Sequence, residues 1–163
     1  MTASFLVAAV LLLIANAFFV AVEFALLASR VARLEPMVES GDDERAAIAL
    51  DAVRDLQPQL AGAQLGITMA SLGLGYVAEP SVAHLIERGI EQFWPPSAGV
   101  IHAISLTVAL SIVVVVHMVL GEMVPKNLAI AAPEATARLL APLHGAYVTL
   151  LRPLVWFLTW VSN

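Results

Sequence analysis

Long apolar blocks alternate with short polar ones along this chain. Phe5–Ala28 is almost unbroken, with Asn16 and Glu23 as its only strongly polar members. Leu60–Ile86 is glycine-rich and less apolar. Ile101–Leu120 is the strongest block, with Val113–Val116 at its heart and apolar character fading by about residue 124. A helix needs roughly 20 apolar residues to cross the hydrocarbon of a bilayer, so each block predicts a spanning helix, over about 5–28, 60–86 and 101–124. Ala15-Asn16-Ala17 imitates a signal-cleavage site. No Lys or Arg precedes the first block, however, and its apolar character continues past Ala17, which predicts a retained span.

The intervening segments read differently. In residues 31–59, Ile48, Ala52, Val53 and Leu56, continued by Leu60, recur at helical spacing among Asp, Glu and Arg, which predicts an amphipathic juxtamembrane helix. Trp94-Pro95-Pro96 reads as an interfacial turn with an aromatic anchor. In residues 133–162, Leu140, Leu143, Tyr147, Leu150, Leu154, Phe157 and Val161 form one apolar stripe, interrupted by Pro142 and Pro153. A fourth span is one reading. A kinked helix lying at the membrane surface is preferred, because Arg138, His144 and Arg152 recur along it.

Composition agrees with the pattern. The chain is 60% hydrophobic and only 13% charged, about half the charge of a soluble domain. Its mean hydropathy is +0.88, and the expected class is an all-α integral membrane protein. A net charge of −5 argues against nucleic acid as a partner. The absence of cysteine excludes disulfides, thiolate metal sites and cysteine nucleophiles. No H-E-x-x-H or nucleophile-plus-base pattern occurs, and His84, His102, His117 and His144 are scattered as packing or interface residues are. An enzyme is not expected.

Three spans place Arg30, Arg33, Arg45, Arg54, Lys126, Arg138 and Arg152 on one side and only Arg88 on the other. The positive-inside rule makes the first side cytoplasmic, with the N-terminus outside and the C-terminus inside.

The end of the third block, "HMVLGEMVPKNLAI", carries the candidate chemistry. Pro125 has no N–H, and its ring collides with the carbonyl four residues back, which belongs to Gly121. A continuing helix must bend or unwind there and free that carbonyl, beside the Glu122 carboxylate. Carbonyl and carboxylate oxygens at membrane depth suit a hard cation. The plain alternative is a helix that ends, with Glu122 reaching the headgroups and Lys126 snorkelling. Lys126, one turn from Glu122, could also pair with it. In the second block, Gln64, Thr68, Ser71, Gly75 and Glu79 share one helix face. Ser71 and Thr68 either offer hydroxyl oxygens or bond their own helix, the latter favoured for Thr68. Asn16 and Glu23 share a face of the first span, and Glu23 either touches an ion or simply lies near the cytoplasmic interface. Gly62/Gly66 and Gly73/Gly75 form small-residue faces suited to helix contact. On a chain with too few helices to enclose a pathway, they point to a homodimer.

"NAFFVAVEFALLASRVARLE", "GAQLGITMASLGLGYVAEP" and "GEMVPKNLAI" together resemble the transmembrane domain of the CNNM/CorC proteins, in the right order over essentially the whole of residues 1–163. The resemblance implies a homodimer in the cell membrane, each subunit with three spans and a belt of juxtamembrane helices. It implies magnesium efflux, often described as coupled to sodium entry. By position, Ser71, the Gly121 carbonyl and Glu122 match the coordinating elements around Mg2+, and Pro125 frees the carbonyl. Relatives of this kind carry a small hydroxyl residue on the first-helix turn where this chain has Val20 and Val22. The shell is then incomplete or filled by Asn16, Glu23 or water. Those valines favour a second reading, a membrane receptor or scaffold that recruits a cytosolic protein partner without moving ions; the intact Gly121-Glu122-x-x-Pro125-Lys126 opposes it. Such relatives continue into cytosolic CBS domains, which residues 1–163 do not include.

Overall fold

A computed structural model describes residues 2–41, 43–93 and 98–162. All of its elements are helices: α1 (Thr2–Ala28), α2 (Val31–Glu39), α3 (Glu44–Arg54), α4 (Leu56–Phe93), α5 (Ala98–Val116), a π-helical stretch (His117–Met123), α6 (Val124–Ala131), α7 (Pro133–Leu150) and α8 (Arg152–Ser162). Among the described residues, three stretches are long and apolar enough to cross a membrane: Ser4–Ala28, Leu56–Gln92 and Gly99–Ala131. The chain is a multi-pass membrane protein. The second and third spans outrun their expected limits of 60–86 and 101–124. Apolar density ends at those limits, but helical hydrogen bonding continues into more polar flanks. The Trp94-Pro95-Pro96 turn lies outside the described residues.

α1 packs along α4, α4 along α5, and α7 along α1 and α3. The larger core gathers Val22, Ala25 and Leu26 of α1 with Leu34, Ala49, Leu50, Ala129, Ala137 and Ala141. A smaller core joins Ala9, Leu74 and Ala78, with Leu12, Leu13 and Val113 packed against it. Both are built on small side chains. Lipid tails are as apolar as leucine, so burying leucine gains little in a membrane, whereas alanine and glycine let helices approach closely.

This preference also shows on α7 and α8. The stripe of large residues mostly points outward from the subunit: Leu143 is 65% exposed and Leu150 79%. The buried face of α7 is instead Glu134, Ala137, Ala141, His144 and Val148. His144 is fully buried rather than at the surface, and its Nε2 meets the Gln59 carbonyl at 3.1 Å. Burial pushes its pKa down, only partly offset by that hydrogen bond.

The segment 31–59 is also not a single helix. Gly41 adopts a φ of 75°, open to glycine at little cost, and turns the chain between α2 and α3. Asp43 caps α3, accepting from the backbone N–H of Arg45 at 3.0 Å and of Ala46 at 3.3 Å. Its carboxylate also pairs with Arg138 of α7. Ala46, Ala49, Leu50 and Ala52 form the buried face of α3, while Ile48 of the expected stripe is exposed.

The glycine pairs serve the subunit's own packing. A Cβ on Gly66 would lie 2.5 Å from the Phe19 ring, and one on Gly62 would lie 2.6 Å from Val148 Cγ2. Gly73 faces Leu12, and only Gly75 of the four opens onto free space. The Gly62/Gly66 face is therefore not available to a second copy.

Candidate cation site

Between the two cores α1 carries Asn16, which is completely buried. Its Nδ2 donates to the Gly121 carbonyl at 2.9 Å, across 105 positions of sequence. Its Oδ1 accepts from the Ser71 hydroxyl, also at 2.9 Å. One amide thus joins all three spans. A polar side chain at membrane depth must find such partners or face hydrocarbon.

The geometry around Gly121 follows from Pro125. The helix neither ends nor breaks there. It widens into the π-helical stretch, and the Val124 N–H reaches back five residues to the Val119 carbonyl. This widening re-aims the Gly121 carbonyl toward Asn16 without the clash that proline imposes on a tight helix. Glycine is required at 121 by space: an added Cβ would sit 2.8 Å from His117 Cδ2 and 3.2 Å from Asn16 Nδ2.

The π turn also brings in a residue that reading the sequence missed. In an α-helix, residues five apart point about 140° away from each other; a π turn closes on the fifth residue and stacks them. His117 and Glu122 are five apart. His117 Nε2 lies 3.9 Å from Glu122 Oε1 and 3.4 Å from Ser71 Oγ. The only signal available was its place at the head of the proline-bearing motif, and even that required foreseeing the π turn. Glu122 is half exposed, with 51% of its side chain accessible, while His117 is at 21%.

Asn16, Ser71 and the Gly121 carbonyl are joined by hydrogen bonds, while the half-exposed Glu122 side chain approaches them through His117. Glu23 does not join them. It accepts a hydrogen bond from Gln64 Nε2 at 3.4 Å, seven residues along each helix from the Asn16–Ser71 contact. At 1.5 Å per residue that is about 10 Å away. Asn16–Ser71 and Glu23–Gln64 are successive rungs between antiparallel α1 and α4. Thr68 bonds its own helix, donating to the Gln64 carbonyl at 2.8 Å. Lys126 does not pair with Glu122; its Nζ lies 4.4 Å over the Phe24 ring. Val20 and Val22 are both buried, and Val22 belongs to the larger core.

Three spans meeting on a buried polar cluster define a membrane-embedded domain. A family model described as "CNNM: Cyclin M transmembrane N-terminal domain" matches residues 7–163. The chain belongs to this family. Similar proteins include "Uncharacterized protein Rv1841c" of Mycobacterium tuberculosis (strain ATCC 25618 / H37Rv), 45% identical over 95% of this chain and 43% of its own length. "UPF0053 protein YhdT" of Bacillus subtilis (strain 168) is 37% identical over 88% of this chain and 31% of its own length. "UPF0053 protein YhdP" of the same organism is 35% identical over 93% and 32%. The chain spans less than half the length of these curated relatives.

Proposed function

We propose that this domain moves a divalent cation, magnesium, across the cell membrane, as sodium-coupled efflux through a homodimer with the N-terminus outside. The observation that carries this reading is the meeting of Asn16, Ser71 and the Gly121 carbonyl at 2.9 Å separations, with the Glu122 carboxylate one step away, 3.9 Å from the His117 ring that borders Ser71. Magnesium prefers six oxygens at about 2.0–2.1 Å and gives up its waters reluctantly. A carboxylate, a carbonyl, a hydroxyl and the Asn16 amide oxygen would replace some waters and leave the rest. The Gly121 carbonyl has a second lone pair, so its bond from Asn16 leaves it able to face an ion. Glu122 supplies the only net negative charge in the set and should dominate affinity.

The test is magnesium-dependent thermal stabilisation and magnesium flux in proteoliposomes. Glu122→Gln keeps the shape and removes the charge; both signals should vanish, whereas Thr68→Ala should keep most of them. Stabilisation of the Glu122→Gln protein with the parent's midpoint would refute the site. The competing scaffold reading draws on Val20 and Val22, which offer no oxygen on α1, and it would then move ahead.

A further inference from the structure

We infer that Glu87, His84 and His102 form a proton-operated clasp between the end of α4 and the start of α5, on the face opposite the arginine-rich segments. Acid draws the last turns of α4 onto α5, and alkali lets them part. The inference is independent of the cation site.

The carboxylate of Glu87 lies between two imidazoles. Its Oε1 accepts from His102 Nδ1 at 2.9 Å, across 15 positions of sequence and from the neighbouring helix. Its Oε2 lies 3.8 Å from His84 Nδ1, three positions back on the same helix face. Only 24% of the Glu87 side chain is accessible, whereas both rings are exposed and open to protons from the water. A carboxylate that merely solvated a helix end would lie open, as Glu91 does one turn further on.

Little else fixes this end of α4. Beyond Ala83 none of its described residues is buried. Leu85 is exposed, and a Cβ on Gly89 would meet nothing within 4 Å. The position of these turns against α5 therefore follows the clasp. Imidazole is the side chain that changes charge between about pH 5 and 8. Neutral rings give Glu87 one hydrogen bond, from His102, and leave His84 close but uncharged. Protonated rings make both contacts charge-assisted, hence shorter and roughly twice as strong. Because the charged partner is the protonated imidazole, the gain is present in acid and lost as pH rises. Few other charges bear on the group. α4 adds Glu79, Arg88 and Glu91, and α5 adds none. Of the helices packed against α4, α1 carries no charge before Glu23 and α8 carries only Arg152. α3 and α7 meet α4 at its opposite end.

The test reads the distance between two spin labels in the full chain in nanodiscs. The labels go on Gly89→Cys of α4 and Ala103→Cys of α5, both exposed positions, in a chain that has no cysteine of its own. Labelled chain is diluted into unlabelled chain, so that only distances within one subunit are read. From about pH 8 to about pH 5.5 the distance distribution should move to shorter values and narrow. Glu87→Gln keeps an acceptor but removes the charge. His102→Gln keeps a donor that no proton can charge. In both variants the shift should be lost. A distribution in the labelled parent that is the same at the two pH values overturns the clasp. A shift that persists in either variant overturns it too, because the proton then acts on another group. The parent's measurement changes no residue of the clasp, so a misfolded variant cannot conceal a negative result.

Discussion

The side-chain amide of Asn16 and the backbone carbonyl of Gly121 are locked together at 2.9 Å, although 105 positions separate them in the chain. Because Asn16 also receives the Ser71 proton, replacing it removes a partner from the Gly121 carbonyl and from the part-buried Ser71 hydroxyl at once. Asn16→Leu is expected to cost about 1–2 kcal/mol, since each abandoned polar group loses a bond that the membrane interior cannot replace. Thermal unfolding in nanodiscs measures it. An unchanged midpoint would mean that the cluster does not hold the spans together.

Gly66 and Gly75 make a matched pair. Alanine at 66 drives a methyl into the Phe19 ring, while alanine at 75 meets nothing within 4 Å. Gly66→Ala should destabilise by about 1–3 kcal/mol, the usual cost of overpacking. Gly75→Ala should be neutral or mildly stabilising, as alanine is the better helix former. Equal melting temperatures for the two variants would contradict the packing of α1 on α4.

Asp43 ties α3 to α7 through Arg138. Burial acts to raise its pKa, but the Arg138 hydrogen bond and charge, together with the N–H groups of Arg45 and Ala46, outweigh that and leave it below 3.8. A carboxyl depressed on folding adds stability above its unfolded value, and that contribution is lost as pH falls through the folded value. Arg138→Met should therefore lower the melting temperature near neutral pH, and the gap from the parent should begin to close as pH falls below about 5 and go on closing through the folded value, which lies below 3.8. A gap that persists undiminished in acid would assign the effect to lost packing instead.

Orientation can be read by labelling, because the chain has no cysteine of its own. Ser40, after α2, and Glu91, near the end of α4, are both exposed. With the arginine-rich segments inside, Glu91→Cys should react with an impermeant thiol reagent added to intact cells, and Ser40→Cys only after lysis. The reverse pattern would invert the topology.

Much of the architecture is legible in the linear pattern, for a physical reason. Bilayer thickness imposes a length on each apolar block, so α1, α4 and α5 declare themselves. The hydrogen-bonded meeting of Asn16, Ser71 and the Gly121 carbonyl is legible too, since polar groups in such blocks need partners. Packing faces are far less legible. In residues 133–162 most of the large residues mark the outside of the subunit, and Ala137 and Ala141 hold the helix against its neighbours. His117 was obscured for a different reason. Its partnership with Glu122 exists only because the helix widens, and α-helical spacing sets the two apart. Lys126 does not take up the pairing with Glu122 that its spacing allows, because the Phe24 ring, distant in sequence, offers its ammonium a face.

The length of α4 carries one more consequence. Its 38 residues extend about 57 Å at 1.5 Å per residue, against about 30 Å of hydrocarbon. Even a tilt of 40°, the upper end of the usual range, leaves about 44 Å along the bilayer normal. The helix must therefore stand well clear of the lipid at one end or both. Glu87, Arg88 and Glu91 lie in its last turns, and Glu87 holds His102 of α5 at 2.9 Å. That far end stands in water as a helical post, and Pro80 lies between it and Ser71; the backbone hydrogen bond that proline removes gives the rod a joint there, so the post can lean without carrying Ser71 with it.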